Sequence, residues 1–174
     1  PADLVPGCAW ALAEIISRSG LPAGAFNLVL GSGRRVGQTI VESPLVDAIS
    51  FTGSVPVGEA LLATATARRA RVQLEMGGKN PLVVLADAAL ERAVEHAIQG
   101  AFYSTGQRCT ASSRIIVEAP VFDRFASLMR QRTAALVVGH ALERGTQIGP
   151  VVSADQLAQD LSYVDIGRSE GAEW

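Results

Sequence analysis

Short apolar segments alternate with longer helical segments along most of this 174-residue chain. The predicted strands are residues 26–30, 48–52, 71–75, 81–85 and 114–117. One predicted helix ends before residue 20, and the others are residues 34–41, 56–68, 88–103 and 121–137. Strands that alternate with helices imply right-handed parallel crossovers, so the pattern predicts an α/β fold with a doubly wound parallel sheet. Ligands bind such sheets at the carboxyl ends of the strands.

The composition excludes several classes of partner. The chain is 48% hydrophobic with a net charge of −2, so we expect a globular protein that binds neither nucleic acid nor a membrane. Cys8 and Cys109 are too far apart in unlike contexts to indicate a disulfide framework, and His96 and His140 lack partners at metal-ligand spacing. The unpartnered histidines lead us to expect no metal site. No segment with positive charges followed by an apolar run is visible, so we expect a cytoplasmic protein.

Cys109 and Glu75 have the chemical types that covalent catalysis uses. Cys109 follows a predicted helix and lies in a turn, where free backbone amides can bind an oxyanion. Glu75 ends a predicted strand just before Gly77 and Gly78, whose missing side chains leave room for a ligand. A thiol attacks carbonyl carbon as the thiolate, and a carboxylate can act as the base. The alternatives are a buried, inert thiol and a carboxylate paired with a nearby cation.

A glycine-rich turn at Gly31, Gly33 and Gly37 resembles a dinucleotide-binding loop, although its third glycine comes one position late for the usual fingerprint. Gly33 and Gly37 therefore either contact a cofactor or serve the turn alone.

These segments together resemble the signatures of the aldehyde dehydrogenase superfamily. The family's Glu-Leu-Gly-Gly-Lys is similar to residues 75–79, with Met76 in place of leucine, and its Gly-Gln-x-Cys to residues 106–109. Residues 51–54 resemble the family's nucleotide-contacting turn. Within the family, the stretch 102–114 looks like bacterial α-ketoglutaric semialdehyde dehydrogenases, also called 2,5-dioxovalerate dehydrogenases.

The resemblance implies a central fragment of a longer enzyme. Residues 1–76 would be the C-terminal part of the NAD(P)-binding domain, and residues 77–174 the N-terminal part of the catalytic domain. The whole protein would be a homo-oligomer, either a dimer or a tetramer, that acts on a small aldehyde. The isolated fragment would be inactive if its site needs residues outside it.

The resemblance also implies a role for each candidate residue. Cys109 would be the nucleophile and Glu75 the base that activates the water of acyl-enzyme hydrolysis. Arg108 would bind a substrate carboxylate, unless it bonds local carbonyls and holds its loop. The other residues expected to contact NAD or NADP are Asp3, Phe51, Gly53, Ser54, Val57, Met76 and Gly77. The family places its cofactor against the 51–54 turn and the helix that follows it, so Gly33 and Gly37 stay open between cofactor contact and turn alone.

Asp3 bears on the choice of cofactor. In the family an acidic residue at this place binds the adenosine ribose, and aspartate is one methylene shorter than the family's glutamate, so NAD and NADP both stay open.

Two other functions for the chain also stay open: a cysteine hydrolase or acyltransferase without a redox step, and a non-catalytic truncated module.

Overall fold

The computed structural model describes residues 1–173. The chain divides into two compact units, Pro1–Met76 and Gly77–Trp174. This division coincides with the domain boundary expected from the sequence. The assignment of the units to an NAD(P)-binding and a catalytic domain stays a prediction.

The first unit contains one parallel β-α-β arrangement. Its elements are helix α1 (Pro6–Ser17), a π-helical turn (Gly33–Gly37) that continues into helix α2 (Gln38–Glu42), strand β1 (Ala48–Gly53), helix α3 (Val55–Ala67) and strand β2 (Arg71–Met76). Gly58, Leu61 and Ala65 are buried on α3, and their spacing places them on one face of the helix. That face packs with Ile49 and Ala70 to form the core of the unit.

The prediction of a strand at residues 26–30 is wrong. The backbone there is irregular, and the structure pairs it with no strand of residues 1–173. The segment has the apolar composition of a strand, but a strand forms only where a neighbour completes its ladder of hydrogen bonds. The helix predicted at 34–41 is found as the π-helical turn and α2.

The second unit contains another parallel β-α-β arrangement and further helices. Its elements are strand β3 (Asn80–Val84), helix α4 (Leu90–Ala101), a tight turn (Tyr103–Gly106), strand β4 (Ser112–Val117), a 3-10 turn (Ala119–Val121), helix α5 (Phe122–Ala134) and helix α6 (Ala154–Ser169). Helix α4 buries Leu90, Val94, Ala97 and Ile98 on one stripe. This stripe packs with Val84 and Phe125 in the core of the unit.

Helix α6 was not expected from the sequence. It begins at the cap residue Ser153, whose Oγ accepts a hydrogen bond from the Gln156 N–H at 3.2 Å. A serine followed three residues later by glutamine is a capping-box pattern, so the sequence did contain a signal for this start. No helix in residues 1–173 is long and apolar enough to cross a bilayer.

Candidate active site

The carboxyl ends of β1 and β2 lie side by side in the first unit. In their parallel register, Gly53 pairs with Met76 and Thr52 with Glu75. The pairing therefore brings two of the predicted motifs to one edge of the sheet. Glu75 is exposed there, and its Oε1 accepts a hydrogen bond from Gln73 Nε2 at 3.1 Å.

A cavity of about 440 Å³ gathers four of the predicted cofactor residues, namely Gly33, Gly37, Phe51 and Val57. Its remaining lining residues are Arg34, Gln38, Val41, Glu42, Ala60, Leu61 and Thr64. The cavity lies between the segment 33–42 and helix α3, and its walls are mainly aliphatic and aromatic. An apolar slot of this kind suits a flat aromatic group such as a purine base.

Two glycines set the shape of the surface near this cavity. A Cβ on Gly53 would overlap the Phe51 ring, and one on Gly58 would lie 2.5 Å from Met76 Sδ. Glycine at both positions therefore lets Phe51 and Met76 occupy their places. Met76 is half-buried against helix α3 by this contact, and a direct contact with a cofactor stays a prediction.

Ser54 and Asp3 do not line the cavity. Ser54 is the residue before helix α3, and its carbonyl accepts a hydrogen bond from the Gly58 N–H at 3.0 Å, whereas its hydroxyl makes no capping bond. Asp3 is exposed in a turn before helix α1. The roles of both in cofactor binding stay predictions.

Cys109 lies in the second unit on a turn that directly follows an unusual backbone segment. Ser104, Thr105 and Gly106 all have left-handed conformations, with φ of 56°, 55° and 68°. Such strain in residues other than glycine is typical of functional sites. The Cys109 side chain is exposed, and its backbone N–H has no hydrogen-bond partner among residues 1–173. That N–H is thus available to an oxyanion.

The side chain of Asn80 holds the Cys109 turn. Its Nδ2 donates hydrogen bonds to the Cys109 carbonyl at 2.7 Å and to the Ala111 carbonyl at 3.1 Å. Gly77 is also close, since a Cβ placed on it would lie 3.9 Å from Cys109 Cα. No sequence motif pointed to Asn80 as a site residue. Its position directly after the Gly-Gly-Lys segment was the only signal, and only the strand register shows what it contacts.

Arg108 bonds to a nearby backbone carbonyl, which was the alternative to binding a substrate carboxylate. Its Nη2 donates a hydrogen bond to the Gln99 carbonyl near the end of helix α4 at 2.7 Å. A guanidinium carries further N–H donors, and Arg108 is exposed, so a role in binding a substrate carboxylate stays a prediction.

The two histidines are exposed and take no part in these sites. His140 Nδ1 accepts a hydrogen bond from the Leu142 N–H at 3.2 Å, and neither His96 nor His140 bonds to Cys109 within the described residues. Residues 1–173 contain no group of three histidine, cysteine, aspartate or glutamate side chains placed to hold a metal ion.

Comparison with known proteins settles the family. The pattern of the aldehyde dehydrogenase family matches residues 1–174. This chain belongs to the aldehyde dehydrogenase family. It is 49% identical to an α-ketoglutaric semialdehyde dehydrogenase of Bacillus subtilis over 154 residues, which are 88% of the chain and 32% of that relative.

Solved aldehyde dehydrogenase structures confirm the α/β fold class. A betaine aldehyde dehydrogenase of Staphylococcus aureus in complex with NAD+ is 33% identical with a TM-score of 0.95, covering 98% of this chain and 34% of its own. An NADP-dependent enzyme of E. coli is 38% identical with a TM-score of 0.95, covering 98% of this chain and 36% of its own. This aldehyde dehydrogenase chain thus spans about a third of the length of the relatives it matches.

Proposed function

We propose that the protein containing this chain oxidises an aldehyde to the carboxylic acid with NAD or NADP. The observation that carries the proposal is the Cys109 turn. It presents an exposed thiol beside a backbone N–H that has no hydrogen-bond partner within residues 1–173, in a chain whose family is established. Aldehyde oxidation is supported by the relatives, which are named as aldehyde dehydrogenases. The residue roles are those that the family's motifs imply, and the exposure of Cys109 and Glu75 agrees with them.

The chain's residues supply the covalent steps. The Cys109 thiolate attacks the aldehyde carbon, and the Cys109 N–H donates to the oxygen of the resulting thiohemiacetal. Loss of hydride from that carbon leaves a thioester on Cys109. Glu75 accepts a proton from the water that attacks the thioester, which releases the acid and restores the thiol. Glu75 is exposed at its strand end and so can meet water.

The first unit fits the cofactor. The apolar cavity next to Gly33 and Gly37 suits an adenine ring, and glycine at position 53 lets the Phe51 ring take its place in the wall of that cavity. NAD or NADP, when bound, supplies the acceptor for the hydride. Asp3, Ser54, Val57, Met76 and Gly77 complete the proposed set of cofactor contacts.

The proposed substrate is a semialdehyde that carries a carboxylate. The relative that is 49% identical is named for α-ketoglutaric semialdehyde, and Arg108 precedes the nucleophile with guanidinium donors to spare. The resemblance further implies a cytoplasmic dimer or tetramer. These finer statements belong to the proposal.

The decisive experiment measures aldehyde-dependent formation of NADH and NADPH. The 174-residue chain is assayed beside a form extended at both ends to the length of its relatives, with a carboxylated semialdehyde and a neutral aldehyde of equal length. We expect the extended form to be active, with a higher kcat/KM for the carboxylated substrate. Cys109→Ala should lower kcat by more than about 10³-fold. Cys8→Ala is the matched control, since Cys8 is the other exposed cysteine, and it should keep full activity.

Glu75→Gln separates the two halves of the reaction. We expect one rapid equivalent of reduced cofactor per site followed by slow turnover, because thioester hydrolysis loses its base while thiol attack continues. A folded extended form that oxidises no aldehyde would contradict the proposal. Cofactor-independent thioester hydrolysis that needs Cys109 would then indicate the cysteine hydrolase reading, and loss of all chemistry the non-catalytic one.

A further inference from the structure

We propose that Asn80 is a positioning residue that fixes the Cys109 turn for reaction. The inference rests on the proposed function, because it takes Cys109 as the nucleophile. The side-chain amide of Asn80 reaches two carbonyls on either side of Thr110, those of Cys109 at 2.7 Å and Ala111 at 3.1 Å. One nitrogen thus bridges the turn that carries the thiol.

The bridge lies just ahead of an irregularity in the pairing of β3 and β4. Asn80 pairs with Ser112, but Pro81 pairs with Arg114, so β4 has one extra residue at Ser113 directly after the Cys109 turn. Such a bulge interrupts the regular ladder of backbone hydrogen bonds between the two strands. The Asn80 amide donates to the Cys109 and Ala111 carbonyls, which come just before β4, and so links the two segments where the regular ladder has not yet begun.

The bridge restricts the backbone around the nucleophile. The Cys109 carbonyl belongs to a planar peptide, so holding its oxygen fixes the orientation of the peptide plane that follows the nucleophile. Ala111 is buried, and its N–H donates to the Arg108 carbonyl at 2.9 Å, which closes the turn on the other side. The Cys109 N–H and Sγ are attached to this restrained backbone. Both must be held in place for attack and for oxyanion binding.

A second bond ties the same two segments together. Arg114 Nη2 donates to the Lys79 carbonyl at 2.8 Å, one residue before Asn80. The segment 77–80 is therefore joined to the segment 109–114 by three side-chain hydrogen bonds. Among these donors, Asn80 alone contacts the cysteine's own peptide.

The required chemistry is that of a short primary amide. Its NH2 group offers two donors on one atom, as the two carbonyl acceptors demand. An Asn80→Asp substitution keeps the size but replaces the donors with a carboxylate, which repels both carbonyls. Asn80→Asp is therefore the most informative variant, and Asn80→Ala removes the bridge without adding repulsion.

The test uses the extended, active form of the chain and counts only molecules whose Cys109 thiol can be titrated. We expect Asn80→Ala to lower kcat per titrated thiol by about 10- to 100-fold, with KM for the cofactor unchanged, because a slightly misplaced nucleophile slows chemistry and not binding. Asn80→Asp should lower it further. The matched control is Asn27→Ala, since Asn27 Nδ2 also donates to a backbone carbonyl, that of Gly24 at 2.9 Å, but in the first unit.

Amide hydrogen exchange gives a readout that does not need activity. Loss of two hydrogen bonds should speed exchange in the segment 107–112 by about tenfold or more in Asn80→Ala, and leave it unchanged in Asn27→Ala. An unchanged kcat per titrated thiol in Asn80→Asp would overturn the proposal. If the parent form oxidised no aldehyde, the proposed function would fail, and unchanged exchange in Asn80→Ala would then separately refute the bridge.

Discussion

The two units present their candidate site residues from opposite ends of their strands. In the first unit Gly53 and Glu75 lie at the carboxyl ends of β1 and β2, as expected for a parallel sheet. In the second unit Gly77 and Cys109 precede β3 and β4 and so lie at the amino ends. The rule that ligands bind at the carboxyl ends of strands would therefore have found the proposed cofactor side and missed Cys109, the proposed nucleophile.

The two candidate regions are also built with different interactions. Around the carboxyl ends of β1 and β2, apolar packing decides the shape, since glycines leave room for the Phe51 ring and the Met76 sulfur. Around the amino ends of β3 and β4, polar side chains hold backbone carbonyls, as Asn80, Arg108 and Arg114 do. This difference teaches that the surface of the first unit is shaped by omitting side chains so that others can pack, whereas the Cys109 turn is held by side-chain bonds to its backbone.

The largest expected effect tests the core of the second unit, the unit that carries Cys109. Phe125 on α5 is 3% exposed and packs in the core of the second unit. Phe125→Ala should lower the free energy of unfolding by about 3 to 5 kcal/mol, because it leaves a cavity among aliphatic side chains. Hydrogen exchange of the α4 and β4 amides, followed in denaturant, measures this loss.

Phe122 provides the matched control for that change. It lies on the same helix but is 54% exposed, so Phe122→Ala should change the free energy of unfolding by less than about 1 kcal/mol. Equal losses for the two variants would show that the second unit is not held by the core described above.

The fold was largely predictable because, in both β-α-β arrangements, the periodicity of apolar residues agrees with the pairing of the strands. The periodicity located α3 and α4 and the strands beside them to within a few residues. The segment 26–30 failed for a physical reason, since its apolar composition says nothing about whether a partner strand exists. Helix α6 was missed because it buries no residue, which leaves no apolar stripe for periodicity to detect.

The site was predictable in its residue types but not in its contacts. Motif resemblance pointed to Cys109 and Glu75, whose roles stay predictions. Gly33 and Gly37 came from a glycine pattern and Phe51 and Val57 from the resemblance, and the structure places all four around one cavity. The resemblance did not reveal Asn80, because its contacts to the Cys109 and Ala111 carbonyls depend on how β3 and β4 pair, which no local periodicity encodes.

A polar contact in the first unit limits how far the comparison extends. Arg68 is half-buried, and its Nε donates to the Val41 carbonyl at 2.9 Å while its Nη1 donates to the Val46 carbonyl. Val41 lines the cavity, so the guanidinium ties one wall to the end of α3. Arg68→Met keeps the aliphatic stem and should lower the free energy of unfolding of this unit by about 2 kcal/mol, as measured by denaturant titration.

The same variant should weaken binding of the proposed cofactor, measured by titration calorimetry with NAD and NADP. Arg71→Met is the control, because Arg71 is an exposed arginine close by in the chain, and it should leave both quantities unchanged. If Arg68→Met weakened neither stability nor binding, apolar packing alone would define the cavity of the first unit. The two units would then differ more strongly in how their candidate sites are built.

The smallest expected effect compares left-handed backbone in the two units. Arg69, with φ of 64°, follows α3 in an ordinary helix-ending turn, in which the Ala70 N–H donates to the Ala65 carbonyl at 3.0 Å. Arg69→Gly should raise the free energy of unfolding by up to about 1 kcal/mol, since glycine adopts this conformation without strain. Gly20→Ala is the reverse control, because Gly20 has a φ of 82° with open space around it. This substitution should lower the free energy of unfolding by a similar amount.

Thr105→Gly should give no such gain, although Thr105 has almost the same φ as Arg69. Its Oγ1 donates to the Ser104 carbonyl at 2.7 Å and accepts a hydrogen bond from Gln107 Nε2, so glycine would relieve strain but remove both bonds. Denaturant unfolding of the two glycine variants under the same conditions measures the difference. A gain for Thr105→Gly equal to that for Arg69→Gly would mean that the turn before Cys109 carries no more restraint than a common helix end, and polar tethering would no longer distinguish the second unit.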